Sequence, residues 1–298
     1  MDNYEDLKRG ERGAWLSIIV YILLATLKIV IGSLGNSDAL QADGLNNTTD
    51  IIASVALLIG LKISRIPPDE DHLYGHRRTE TISSLLASFI MFLVGIEVIW
   101  RSFLAFLHQE FATPSTLTAI VALFSGIVMY IVYLINNNLA KKVDSLAVKA
   151  AAYDNRSDAY VSFGTFIGIS GAIIGITWLD NVTAFLVGLL IIYTAWKIFY
   201  DAAHTLTDGF DIRKIEAIHT IIADVPQVHE IRDIKARMNG NRIWIDATIT
   251  VKADLNVAQS HAITEKIETA IRAAYPNAYT LVHIEPYFDS DDKVNSDQ

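Results

Sequence analysis

Residues 38–63 read DALQADGLNNTTDIIASVALLIGLKI. Such a stretch can cross the roughly 30 Å of bilayer hydrocarbon as a helix, which takes about 20 mostly apolar residues. Yet it holds Asn46 and Asp50 in its middle. They stand four apart, so they share one helix face, about 6 Å apart along the axis. A matching pair occurs further on, where Leu146–Ile176 carries Asp154 and Asp158, again four apart. A bare carboxylate in mid-membrane is expensive, so Asp50, Asp154 and Asp158 each need a partner. The cations within reach are Lys28 and Arg156, too few for three carboxylates, and Arg156 lies on a different face from Asp154 and Asp158. A divalent cation held between the two helices would satisfy three carboxylates and one amide oxygen. The competing explanations are a polar cluster that packs the bundle, or carboxylates that stay protonated. Two matched pairs on two helices are hard to obtain by packing alone.

Similar apolar stretches surround this one. We read six spans, near 15–34, 38–63, 81–107, 117–134, 146–176 and 182–200. The 298-residue chain is 52% hydrophobic and only 19% charged, where a soluble domain carries about 25% charged residues. That excludes a purely soluble enzyme and a disordered or fibrous chain. The absence of cysteine excludes disulfides, thiolate metal sites and cysteine nucleophiles. A formal net charge of −9 argues against a nucleic-acid partner. The polar start MDNYEDLKRGER precedes a full-length span rather than the short apolar core of a signal peptide. Lys8, Arg9, Arg12, Arg65, Arg77, Arg78, Lys141 and Lys142 fall before the first span and in alternate loops, which predicts both termini in the cytoplasm. The motifs Gly164-x-x-x-Gly168 and Gly171-x-x-x-Gly175 would let the fifth span approach a neighbour closely.

After Asp208-Gly209 the pattern becomes that of a soluble domain. Ile215, Ile218, Ile221 and Ile222 recur at helical spacing. Residues 228–237 and 242–251 are strand-like. In the second, Ile243, Ile245, Ala247 and Ile249 alternate with Trp244, Asp246, Thr248 and Thr250. Asn239-Gly240 between them signals a tight turn. Asn256 is placed to cap a helix running to about Tyr275, and Tyr279–Tyr287 reads as a third strand. The expected fold is an all-α six-helix transmembrane domain (residues 1–209), a small α+β cytoplasmic domain of order α-β-β-α-β (210–288), and an acidic tail (289–298) that reads as disordered.

The four candidate ligands Asn46, Asp50, Asp154 and Asp158 offer only oxygen. Hard oxygen sites suit Mn2+, Mg2+ and Ca2+, whereas zinc usually takes nitrogen or sulfur.

With these pairs the chain resembles the cation diffusion facilitators, a family of divalent-cation/proton antiporters. The likeness extends over nearly the whole length: six spans, the pairs on spans two and five, the loop Asp69-Glu70-Asp71-His72-Leu73-Tyr74-Gly75-His76, and the C-terminal domain. Zinc-transporting members commonly have Asp or His at the first position on span two and His at the first position on span five. This chain has Asn46 and Asp154 there, which resembles the manganese branch. The resemblance implies a homodimeric exporter of Mn2+ in the plasma membrane, driven by protons, with Zn2+, Fe2+ or Co2+ as alternative cargo. It also implies a second metal at Asp69, His72 and His76, and a regulatory metal near His261, His283 and Glu285, where Arg232 and Thr248 replace two expected histidines. Family position further suggests an ion pair from Arg77 or Arg78 to Asp208. Two rivals are weaker. An intramembrane aspartyl protease needs two carboxylates about 3 Å apart sharing a proton, and the expected G-x-G-D signature is absent. A non-transporting metal sensor has no use for three membrane carboxylates.

Overall fold

The computed structural model describes residues 2–109, 111–143, 146–240 and 242–288, and side chains from Ile18 onward outside 140–151. The expected acidic tail lies outside the described residues. Two compact units emerge. One joins the chain up to Leu58 with Ser84–Phe199, and the other joins Ile59–Ser83 with the described chain from Tyr200 on.

Six long helices account for the first unit and its continuations: α1 (Asp2–Leu34), α2 (Asp38–Ser64), α3 (Thr79–His108), α4 (Thr116–Val143), α5 (Leu146–Ile173) and α6 (Trp178–Leu206). Among the described residues four are long and apolar enough to cross a membrane: α2, α3, α4 over Thr116–Leu139, and α6. Among the described side chains, the apolar part of α1 is Ile18–Leu34. Helix α5 falls short because the run Tyr153-Asp154-Asn155-Arg156-Ser157-Asp158 interrupts its apolar surface. The residues that suggested a cation site are thus the ones that lower this helix's hydropathy.

Helix α6 begins at Trp178, ahead of the expected Val182, and its first turn does specific work. Asp180 accepts hydrogen bonds from Ser37 Oγ (2.7 Å), Asp38 N (2.7 Å) and Ala39 N (3.2 Å). It therefore caps the orphan N–H groups of α2 from another helix. Asn181 Nδ2 returns a bond of 2.9 Å to Asp38 Oδ2. Lower in the bundle, Ala42 of α2 packs with Val98 of α3 and Ala184, Val187 and Ile191 of α6. Tyr21 and Leu24 of α1 meet Met129 of α4 and Ala159 of α5. Two glycines of α5, Gly168 and Gly171, serve packing within the chain. A Cβ on Gly168 would stand 2.0 Å from Thr183 Oγ1, and one on Gly171 would stand 2.2 Å from Leu179 Cδ2. Gly164 has nothing within 4 Å of that position.

In the second unit the order α7 (Ile212–Ala223), β1 (Glu230–Asn239), β2 (Arg242–Lys252), α8 (Val257–Ala274), β3 (Ala278–Tyr287) follows the expected α-β-β-α-β sequence. The sheet runs β1-β2-β3, with β2 antiparallel to β1 and parallel to β3. The helix α8 makes the crossover that a parallel pair requires. Ile243, Ile245, Ala247 and Ile249 all point into the core, as the alternation predicts, where they meet Ile218 and Ile222 of α7 and Ile263, Ile267 and Ile271 of α8. Each fully buried isoleucine contributes about 1.5–3 kcal/mol relative to exposure. Gly240 adopts φ +59°, the left-handed backbone that the Asn-Gly signal anticipates. Asn256 forms a capping box with Gln259 at the start of α8. Arg78 Nη2 lies 2.6 Å from Asp208 Oδ1, so of the two candidate arginines Arg78 reaches Asp208 within its own chain. Arg237 Nη1 approaches the other carboxylate oxygen at 3.6 Å.

Candidate metal sites

The i, i+4 spacing on α2 and α5 aims polar groups at one another across the bundle. Asn46 Nδ2 donates to Asp158 Oδ1 at 3.3 Å, which joins the two helices directly. Its carbonyl oxygen remains available to a cation. Tyr21 of α1 donates its hydroxyl to Asp158 Oδ2. Asn46 and Asp158 are buried, at 6% and 7% exposure. Asp50 is half-buried, and its Oδ2 is buried with no hydrogen-bond partner. The charges of Asp158 and Asp154 both bear on Asp50. Asp154 is more exposed, and the charge of Lys197 on α6 bears on it. The oxygens of Asp50, Asp154 and Asp158 do not gather within 4.8 Å of one another, as those of the loop group below do.

The two cations that the sequence offered make their direct contacts elsewhere. Arg156 lies over the rings of Tyr153 and Tyr133, with its guanidinium carbon 4.7 and 5.6 Å from their centroids. Lys28 is fully buried and pairs with a fourth carboxylate, Asp43, at 3.0 Å. Sequence reading overlooked Asp43, and with it Tyr21, Asn47 and Ser162. The available signal was on α1, where Tyr21 and Lys28 stand seven residues apart, hence on one face, in an apolar stretch.

A second group sits in the loop between α2 and α3. Asp69 Oδ1 accepts from the backbone N–H groups of His72 (2.7 Å) and Asp71 (3.1 Å), a turn that fixes the loop. Gly75, at φ +73°, lets the chain bend back so that His76 Nε2 comes 3.5 Å from Asp69 Oδ2, while His72 Nδ1 lies 3.1 Å from Oδ1. The ligand atoms of all three residues lie within 4.8 Å of one another. The backbone N–H of His72 is the main reason the Asp69 carboxyl is held below the usual carboxylate range. A hydrogen bond to the charged form favours that form. His76 Nδ1 is buried without a partner.

In the C-terminal domain, by contrast, the expected residues do not meet within one chain. His261 of α8 faces Glu265 at 3.6 Å, and Glu285 of β3 faces Arg232 at 3.5 Å. His283 is exposed on β3.

Residues 14–207 match the transmembrane domain of cation efflux proteins, and residues 211–287 match their cytoplasmic domain. Over 286 residues the chain is 51% identical to the manganese efflux system protein MneS of Bacillus subtilis (strain 168), an alignment covering 96% of this chain and 99% of that protein. The uncharacterized transporter YdbO of the same organism is 48% identical over 286 residues, with the same coverage of both chains. The manganese efflux system protein MneP, also from that organism, is 30% identical over 285 residues, covering 93% of this chain and 96% of that protein. The match to both domains, over nearly every described residue, makes this a multi-pass membrane transporter rather than an enzyme, and a member of the cation efflux family, the cation diffusion facilitators.

Proposed function

We propose that the protein exports Mn2+ from the cytoplasm across the plasma membrane in exchange for protons, as a homodimer with six spans per chain and both termini in the cytoplasm. The carrying observation is Asp50: a carboxylate oxygen buried without a hydrogen-bond partner, beside the joined pair Asn46–Asp158. A buried anion of this kind calls for a cation. Lys28 does not pair with Asp50 directly, because the contacts of that ammonium go to Asp43, Asn47 and Ser162. Asn46, Asp50, Asp154 and Asp158 then form the transport site, an all-oxygen set suited to Mn2+. The manganese efflux named for two relatives supports this ion over Zn2+, Fe2+ or Co2+. Counting α1 and α5 as spans rests on their place between polar loops and on the family match across residues 14–207. The same match, ending just before the cytoplasmic one begins at 211, supports a boundary near residue 209.

Protons and metal compete for the same oxygens. From the cytoplasm the deprotonated carboxylates take the ion, with the Asn46 carbonyl completing the set. On the outer side, protonation of Asp50, Asp154 and Asp158 removes the charge that held it. Purified protein in liposomes with an acidic lumen should therefore take up Mn2+ faster than Zn2+, Fe2+ or Co2+. Uptake unchanged when an ionophore collapses the pH gradient, at fixed voltage and metal gradient, would refute antiport while leaving efflux intact.

The loop group Asp69, His72 and His76 we assign to a second metal, because one carboxylate and two imidazoles already converge there. In a Mn2+ or Zn2+ titration of the full chain, Asp69→Ala should remove one binding event per protomer and spare the other. An unchanged stoichiometry would count against the assignment. His261, His283 and Glu285 do not converge in one chain, so a metal there would need groups from a second copy. Light scattering that gives a monomer mass for the detergent-solubilised chain would exclude that arrangement and the homodimer together.

A further inference from the structure

Lys28 is the most deeply enclosed charge in the helical unit. Its exposure is 0%, as is that of Asp43. Its ammonium donates hydrogen bonds to Asn47 Oδ1 at 2.6 Å and Ser162 Oγ at 2.9 Å, and forms an ion pair with Asp43 Oδ1 at 3.0 Å. Two of these partners are on α2 and one is on α5, the two helices that carry the proposed ligands. The positions are not scattered. Asn47 follows Asn46, and Asp43 stands two turns before Asp50 on the same face. Ser162 stands one turn after Asp158 on the same face. Tyr21 stands two turns before Lys28 and donates to Asp158. Helix α1 thus grips α5 at consecutive turns, by Tyr21 at Asp158 and by Lys28 at Ser162. It lies against α2 at backbone distance, since a Cβ on Gly44 would stand 3.0 Å from both Ile29 N and Lys28 Cβ.

We propose that Lys28 is a positioning residue for the transport site: its ammonium, held by Asp43, sets the spacing of α2 and α5 at which Asn46 and Asp50 face Asp158. A pair buried this completely is a poor way to gain stability, because desolvating both ions offsets most of their attraction, and apolar residues of similar volume often serve as well. What apolar residues could not do is fix three helices through two directed hydrogen bonds and an ion pair at the turn beside the ligands. The charge of Lys28 reaches Asp50 and Asp158, but the contacts of its ammonium go to Asp43, Asn47 and Ser162 and leave the ligand oxygens to the cation. The inference rests on the transport-site reading above.

The test uses the full-length protein in detergent and in liposomes. Lys28→Met combined with Asp43→Asn removes both charges without leaving either ion alone. The folded, dimeric fraction should bind Mn2+ about 10–100-fold more weakly, the usual effect of losing a group that orients metal ligands, and the transport KM should rise in step. A role in stability alone would lower the melting temperature but leave Kd and KM of the folded protein at wild-type values, and that result would overturn the proposal. Should the double variant fail to fold, Ser162→Ala removes only the α5 arm. It should raise KM several-fold with Lys28–Asp43 intact, and a wild-type KM would equally overturn the proposal. Asp158→Asn run in parallel separates the two readings. Mn2+ binding at the membrane site that survives Asp158→Asn sinks the site itself. Binding lost there but normal in the Lys28 and Ser162 variants sinks only the positioning role.

Discussion

Asp158→Asn should stop Mn2+ transport, with the initial rate in liposomes falling by more than about 100-fold, since even groups that merely orient ligands are worth about 10–100-fold. The substitution keeps the size of the side chain and one of the two oxygens on which the bonds from Tyr21 and Asn46 converge, while the amide NH2 in place of the other can donate to the Asn46 carbonyl once that amide turns over. Folding is therefore expected to survive. What disappears is one full negative charge from a site 7% exposed, where no water can replace it. Asp50→Asn should behave in the same way, because it removes the buried carboxylate oxygen that lacks a partner. Gel filtration and a melting curve establish that each variant is folded. A folded Asp158→Asn protein moving Mn2+ at the wild-type rate would mean that the ion passes elsewhere.

The periodicities of the C-terminal domain made it readable from the sequence. Alternation in β2 assigned Ile243, Ile245, Ala247 and Ile249 to the core, and all four are buried. Thr250, expected outward, is buried too, at 1% exposure, between Glu230 of β1 and Glu285 of β3. A period of two cannot reveal how far neighbouring residues cover the outer face of a central strand. The helices were readable as apolar runs, but their ends were not. Trp178, Asp180 and Asn181 read as a polar loop, yet they form the first turn of α6 because Asp180 finds the N–H groups of α2. That bond lies between residues 142 apart in the chain, and no local pattern announces it.

The candidate sites show the same division. The loop group was legible because its three residues lie within one short segment, where a turn suffices to gather them. The pairs on α2 and α5 were legible one helix at a time. Which helices meet, and which cation serves which carboxylate, depends on packing. Lys28 read as a partner for the ligand carboxylates, but Asp43 claims it. Nothing local in the sequence sets Asp43 apart as the partner of Lys28. Asp154 and Asp158 share a face by spacing, yet one is exposed and the other buried. Depth along a helix differs by a turn, and a turn is enough to change the surroundings.

That difference in depth gives Asp154 a particular place in ion choice. Asp158 is committed by Tyr21 and Asn46, whereas Asp154 is exposed and interacts through charge with Lys197, Asp50 and Asp158. A substitution at Asp154 can thus alter ligand chemistry without breaking the joint between α2 and α5. Asp154→His should shift the ratio of Mn2+ to Zn2+ initial rates toward zinc by about tenfold, the scale on which changes around a metal alter affinity. An imidazole nitrogen replaces a negative oxygen, and zinc gains more from nitrogen than manganese does. Asn46→Asp supplies the contrast. It adds charge but no nitrogen, so it should tighten several ions alike and slow their release, lowering rates without favouring zinc. It also places a fourth carboxylate against Asp158 in place of the amide that now donates to it at 3.3 Å. Repulsion would weaken that joint in the empty protein and make the site more dependent on its ion. The readout is the pair of initial rates at matched free metal for wild type and both variants. A folded Asp154→His protein with the wild-type ratio would show that ligand softness at this position does not choose the ion. The preference for manganese would then have to arise from the spacing of the helices instead.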